Sequence, residues 1–403
     1  MSQAASMHTP DQDTGSWNLT HSAQSPLQRI KEGVIEGILF VSGISSILIT
    51  IGIVLVLLSE TIPFFTTSEA KTIYTPSVQG VESMTISKIL VGKGGYVNKG
   101  DPIVEFATTA GTAGAPVLLA TASGTVLEIL GEVGSVVDTN SHLVDISHRV
   151  TFTDFFGDTL WAPIFDDPRY GIWSLVAGTM VTTVVALFLA IPVGTIIAIW
   201  LSEYCYPNAR EILKPALELL SAVPTVVYGY FALLFVSPLM QYLLGLVGIQ
   251  MGGFNMLSAG MVMGIMIIPY VASLSEDAMR AVPMQMREGS YAMGATRVQT
   301  ALRVLVPASL SGITSAYILA IARAVGETMI VALAAGQMPN FTLDPTQEAA
   351  TISAAIVQAT MGDLPHDSTA YRAIFAAGLM LMGMTLFFNI AGFLIRKRYR
   401  EAY

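Results

Sequence analysis

LLSAVPTVVYGYFALLFVSPLMQYLLGLVGIQMGGFNMLSAGMVMGIMIIPYVASLS, residues Leu219 to Ser275, contains no Asp, Glu, Lys or Arg. A helix rises about 1.5 Å per residue, so about 20 apolar residues cross a bilayer. This stretch is too long for one crossing and suits a helical hairpin, with its turn near Gly245 to Gly253. Other stretches with few charges lie on either side. Gly37 to Ser59 predicts a first span, and Gly171 to Ser202 a second, with Pro192 and Gly194 placed to bend it. Val304 to about Gln337 predicts a fifth, interrupted by Arg323 and Glu327, and Ala373 to Ile395 a sixth. The first span lies far from the N-terminus, and Asp11 and Asp13 precede the first basic residue, Arg29, so no signal peptide is expected.

The composition agrees. Charged residues make up 12% of the 403, where soluble domains carry about 25%, and 53% are hydrophobic. So apolar a chain, with a formal net charge of -9, is neither disordered nor a nucleic-acid binder. Cys205 is the single cysteine, and His142, His148 and His366 are scattered, so neither a disulfide within the chain nor a metal site is expected. The 20 methionines read as adaptable packing between helices rather than as ligands. The fold class predicted is an all-α polytopic membrane protein of six transmembrane helices with a small all-β insert.

Loop charges orient it. With the N-terminus in the cytoplasm, Arg29, Lys31, Arg210, Lys214, Arg280, Arg287, Arg297, Arg303, Arg396, Lys397, Arg398 and Arg400 face the cytoplasm. The outside receives fewer basic residues, several within the insert, and the loop after the fifth span has Asp344, Glu348, Asp363 and Asp367. Both termini are therefore expected inside and the insert outside. The polar tail, residues 1–28, is expected to be disordered. The first helix falls within 29–70, the insert within 71–150, and the remaining five spans within 151–403.

From Lys71 to Arg149 the helical period disappears, and short β-branched runs alternate with glycines. The insert repeats itself after about 40 residues. Ile89-Leu90 matches Ile129-Leu130, Gly94 matches Gly134, Val97 matches Val137, and Val104 matches Val144. Two halves of this kind are expected to close over one shared core. The pattern resembles the biotinyl/lipoyl-type barrel-sandwich hybrid. A carrier of that type needs a lysine at the hairpin after its first half, and no Lys or Arg lies between Lys99 and Arg149. No biotinyl or lipoyl cofactor is therefore expected, and the insert reads as a structural or docking module.

The segment 276–307 is the long cytoplasmic stretch with alternating charge. Glu288 opens a run of small residues, Gly289, Ser290, Ala292 and Gly294, suited to close packing against another protein. Gly294 can supply a turn between two short helices, and Pro307 is expected to open the next span. Here the chain resembles ABC-importer permeases, whose coupling loop reads E-A-A, three residues, G, nine residues, I-x-L-P. The spacing is met by Glu288-Gly289-Ser290, Gly294 and Val304-Leu305-Val306-Pro307. The resemblance implies a short helix seated in a groove of a cytosolic ATPase. The plainer reading is an amphipathic connector.

Arg323 and Glu327 stand inside a span, where charge is costly and marks an aqueous path or a bundle interior. Their i, i+4 spacing predicts one helix face, with Glu327 holding Arg323 and the guanidinium offering paired donors to an oxyanion. A self-neutralising pair that only fixes helix packing is the competing reading. Ala322 to Thr328 resembles the R-A-x-G-E-T signature of phosphate-importer permeases, and Ser221 to Gly229 that family's V/I-P-S/T-V-V-Y-G segment. Trp161-Ala162-Pro163 through Ser202-Glu203-Tyr204 is similar to its second-span region.

The likeness is to PstC-type permeases, over nearly everything outside the tail and the insert. It implies a subunit of an ATP-driven importer of inorganic phosphate in a bacterial inner membrane. Arg323 and Glu327 would lie on the pathway, and Tyr228, Thr225 and Ser221 along it. A second permease, two cytosolic ATPases holding the ATP, an extracytoplasmic phosphate-binding protein and membrane lipid are the implied partners. No GxxxxGK[ST] loop is present, so the chain itself is not expected to be an enzyme. The alternatives are the same architecture carrying phosphonate, sulfate or molybdate, a biotin-dependent decarboxylase pump, which the absent lysine opposes, and a scaffold with vestigial transport.

Overall fold

A computed structural model describes residues 26–76, 83–107, 116–121, 123–165 and 168–398. Residues 1–25 of the tail expected to be disordered lie outside them, as do residues 108–115 and 122 of the insert's lysine-free linker, while Pro26, Leu27 and Gln28, expected in that tail, already begin the first helix. Two compact units divide the chain. Up to Leu55, the first is the N-terminal part of helix α1 (Pro26–Thr66), with exposed apolar side chains such as Leu39, Phe40 and Leu48. Such a surface suits lipid or a partner helix rather than water.

The second unit begins at Val56 and holds all the other elements. Its helices in chain order are α2 (Phe152–Gly157), α3 (Trp173–Glu203), α4 (Pro207–Ser221), α5 (Thr225–Phe231), α6 (Ser237–Gly245) and α7 (Met256–Arg280). They continue with α8 (Met284–Ala292), α9 (Arg297–Thr300), α10 (Val306–Ala308), α11 (Leu310–Val325), α12 (Met329–Ala334), α13 (Ile352–Met361) and α14 (Thr369–Arg398). A wide π turn, Ala232–Val236, joins α5 to α6, so Thr225–Gly245 forms one arm of the expected hairpin and α7 the other. Among the described residues, five helices are long and apolar enough to cross a membrane, and a bent pair can make a sixth crossing.

That bent pair is the fifth span, and it departs from expectation at both ends. Arg297–Ala308 and Leu310–Val325 meet at 75° about Ser309. Pro307 therefore belongs to the short lead-in α10, and the straight crossing starts after it, at Leu310. At the far end α11 stops at Val325 and Gly326 caps it. The continuous helix expected to Gln337 is instead broken before α12. Gly326, at φ −88° and ψ 2°, closes the helix in a conformation open to any residue.

Helices α3 and α7 form the centre. Ala186 and Ala190 of α3 share a buried cluster with Met263, Met266, Ile267 and Val271 of α7. Glycine lets the backbones touch. A Cβ on Gly264 would lie 2.8 Å from the Ala186 carbonyl, and one on Gly260 would lie 2.7 Å from Val185 Cβ. Small residues at a crossing replace side-chain filling with dispersion between backbones, which suits a bilayer setting.

The insert comprises β1 (Ser68–Tyr74), β2 (Ser83–Ile89), β3 (Tyr96–Val97), β4 (Pro102–Ala107), β5 (Val117–Leu119), β6 (Gly124–Ile129), β7 (Val136–Asp138) and β8 (His142–Arg149). They form two four-stranded sheets, ordered β1-β8-β6-β3 and β5-β4-β2-β7. The duplicated halves exchange strands: β3 of the first pairs with β6 of the second, and β7 of the second with β2 of the first. One core lies between, with the repeat partners Ile86 and Val126, Ile103 and Leu143, and Val104 and Val144 all buried in it. The turns match too. Gly94 and Gly134 have φ of +83° and +95°, and Asn140, at φ 60°, occupies the position equivalent to Gly100. Asn is among the few side chains that accept this region. A short ribbon, β9 (Trp161–Ala162) with β10 (Arg169–Tyr170), follows the insert. Phe64, Phe155, Trp161 and Tyr170 gather at the insert's base into one aromatic cluster.

Candidate functional site

Arg323 lies in the last turn of α11 and is exposed on this chain. Its Nη2 is 3.9 Å from Met266 Sδ, and its guanidinium carbon is 6.0 Å from the Tyr270 ring centroid. Both neighbours belong to α7. Among the described residues Arg323 forms no ion pair. The expected Arg323–Glu327 pair is therefore not made, because the i, i+4 relation requires a helix that Gly326 has already ended. Glu327 is 8% exposed and caps the next helix: Oε1 accepts from the amides of Met329, at 3.2 Å, and Ile330, at 3.4 Å. A carboxylate at a helix start satisfies orphan donors and complements the dipole. Ser353 Oγ donates to the Glu327 carbonyl at 2.6 Å and ties α13 to the break.

The second motif packs against this break. A Cβ on Gly229 would lie 2.8 Å from Leu333 Cδ1 and 3.1 Å from the Met329 carbonyl, so α5 rests on α12. Tyr228 packs against the clusters holding Ala324, Ile330 and Val331. Its hydroxyl donates to the Leu220 carbonyl at 2.7 Å, and Ser221 Oγ donates to the Glu218 carbonyl at 2.7 Å. Both hydroxyl protons are thus engaged by backbone. Thr225 is the first residue of α5 and half-buried. The structure brings Tyr228 to the Arg323–Glu327 segment and leaves the guanidinium as the charged donor there.

On the predicted cytoplasmic side, the expected turn between two short helices falls at Gly294, with φ +81° between α8 and α9. Thr296 and Gln299 form a capping box that starts α9. Glu288, Gly289, Ala292 and Met293 are exposed, Met293 by 88%. Ser290, grouped with them in the sequence pattern, turns inward instead, its Oγ 2.8 Å from Thr300 Oγ1. Arg287 Nη1 pairs with Glu203 Oε1 at 3.0 Å, and the Tyr291 hydroxyl donates to Glu203 Oε2 at 2.8 Å. Burial and this bond to a carboxylate push the Tyr291 phenol above its ordinary pKa.

A second ionic group fixes α4. Glu276, fully buried near the end of α7, receives Arg210 Nε at 2.8 Å and Lys214 Nζ at 2.9 Å, and Lys214 also pairs with Asp277. The hydrogen bond to Glu276 holds the Arg210 guanidinium above its ordinary value. Neither group was visible as a group in the sequence, where these residues are only loop charges. One signal was present: Glu276 follows the long apolar run directly.

Among the described residues, five apolar helices, or six crossings with the bent pair, define a multi-pass membrane protein. Residues 190–401 match the family described as binding-protein-dependent transport system inner membrane component. The probable ABC transporter permease protein YqgH of Bacillus subtilis is 33% identical over 235 residues, 58% of this chain and 74% of that one. The phosphate transport system permease protein PstC of Mesorhizobium japonicum is 30% identical over 248 residues, 58% of this chain and 73% of that one. That of Haemophilus influenzae is 33% identical over 215 residues, 49% of this chain and 68% of that one. The chain belongs to this inner membrane component family and, within it, to the PstC-type permeases. It is a transport subunit that works with the other subunits of an ABC transporter, not an enzyme.

Proposed function

We propose that this chain is one permease subunit of an ABC importer that carries inorganic phosphate into the cytoplasm. The observation that carries the reading is Arg323, a guanidinium within a membrane crossing with no carboxylate partner among the described residues. A planar pair of donors fits the oxygens of a tetrahedral oxyanion. Met266 and Tyr270 support it through a thioether contact and a ring face, which leave its charge unneutralised. Relatives named as phosphate permeases give the cargo.

In this reading a second, similar permease completes the channel, a binding protein outside delivers phosphate, and two cytosolic ATPases bind ATP. Glu288, Gly289, Ala292 and Gly294 meet one ATPase. Both termini are cytoplasmic, and the insert, without a carrier lysine between Lys99 and Arg149, is an extracytoplasmic docking module. Glu327 acts indirectly, by starting α12 and so fixing the break beside Arg323.

Uptake of labelled phosphate into vesicles carrying the assembled complex tests this. Arsenate, of the same shape and charge, is expected to compete and sulfate is not. Competition by sulfate with no effect of arsenate would transfer the chain to a sulfate-type cargo.

A further inference from the structure

We infer that Glu203 is a positioning residue for coupling: it fastens the exposed helix α8 to the end of α3 so that movement of α8 is delivered to the membrane crossings. Glu203 is the last residue of α3, and its side chain is 4% exposed. Both carboxylate oxygens are used by α8, Oε1 by Arg287 at 3.0 Å and Oε2 by Tyr291 at 2.8 Å. Arg287 and Tyr291 are four residues apart and so share one face of α8. The next helix joins in. Arg297 Nη1 is 3.5 Å from the Glu203 carbonyl, and its guanidinium carbon is 5.9 Å from the Tyr204 ring centroid.

Arg287 also reaches α7. Its Nη2 donates to the Met279 carbonyl at 2.9 Å. One side chain therefore joins α8 to the ends of both central helices, which already touch backbone to backbone at Gly260 and Gly264. Away from that face α8 carries Gly289 and Ala292, with Glu288 on its flank, all exposed. A helix with one face locked to the crossings and the other free acts as a lever between them. The ion pair is costly to break, because removing either Glu203 or Arg287 leaves the other charge nearly buried without compensation. This inference rests on the coupling role of α8 proposed above, and gives that role its internal half.

The test uses the complex with its ATPases and binding protein, reconstituted in vesicles and carrying Glu203→Gln, Arg287→Gln or both. Phosphate carried per ATP hydrolysed is expected to fall by roughly tenfold in each single variant, within the range of ordinary coupling energies. ATPases should co-purify in the unsubstituted ratio. The double variant is expected to be no worse than the more severe single one, since both remove the same link. A second readout needs no cargo: hydrogen exchange of the amides of α8 in the purified full chain should speed up in Glu203→Gln. An unchanged ratio in Glu203→Gln, losses that multiply in the double variant, or unchanged exchange would each overturn the inference. Failure of the phosphate reading shows elsewhere, as absent phosphate uptake by the unsubstituted complex, and the exchange measurement still decides the role of Glu203.

Discussion

Gly264→Ala tests the contact on which the membrane core is built. Its new methyl carbon would lie 2.8 Å from the Ala186 carbonyl oxygen and 3.2 Å from Leu189 Cβ. Carbon–oxygen contacts in proteins settle at about 3.3–3.6 Å, so α3 and α7 must separate by about 0.5 Å along their crossing. Overpacking of this kind costs about 1–3 kcal/mol. Alanine also gains about 1 kcal/mol over glycine in any helix interior, which would mask part of the strain. Gly383→Ala removes that ambiguity, because Gly383 is helical in α14 and a Cβ there meets nothing within 4 Å. The difference between the two variants is the crossing strain alone. For a chain of 403 residues the unfolding entropy puts about 1 °C on each kcal/mol, so Gly264→Ala should unfold roughly 1–4 °C below Gly383→Ala. The assay is thermal unfolding of the purified chain in one detergent at one scan rate. Coincident midpoints would refute the backbone contact.

Glu276→Gln leaves Arg210 and Lys214 facing a neutral group and should cost about 2–3 kcal/mol. That is below the fully buried value because those partners are 23% and 19% exposed. Faster proteolysis within α4 reports it, whereas Arg280→Gln, at 3.8 Å and 48% exposed, should change stability by less than about 1 kcal/mol. Gly294→Val places a branched side chain at φ +81° and costs about 1–2 kcal/mol in the turn after α8; a lower yield of co-purified ATPase is the expected readout. Tyr228→Phe loses one hydrogen bond to backbone, about 1 kcal/mol of stability, and should retain phosphate uptake, because that hydroxyl proton is already engaged by Leu220.

The crossings were legible because absence of charge over a long run has one physical meaning in a chain of this composition. The hairpin turn was legible because Gly248, Gly252 and Gly253 interrupt the run where two helices must reverse. The duplication of the insert was legible in paired residues, but the exchange of β3 and β7 between halves was not, since pairing partners are set by the closed core and not by local pattern. The fifth span was misread. Spacing alone placed Arg323 and Glu327 on one face, yet α11 ends at Val325 between them, and a carboxylate just past that end is better satisfied by the free amides of α12. The clamp on Glu203 escaped notice for a different reason. Its partners lie about 90 residues away in sequence, and a charge at the end of a span looks like any interfacial residue until a second element covers it.

The most direct measurement is phosphate uptake by the assembled complex carrying Arg323→Ala. Loss of uptake with all subunits still present is the predicted result, with partial recovery in Arg323→Lys, whose single ammonium supplies charge but no planar pair of donors. Uptake by Arg323→Ala at the unsubstituted rate would contradict a pathway built around that guanidinium.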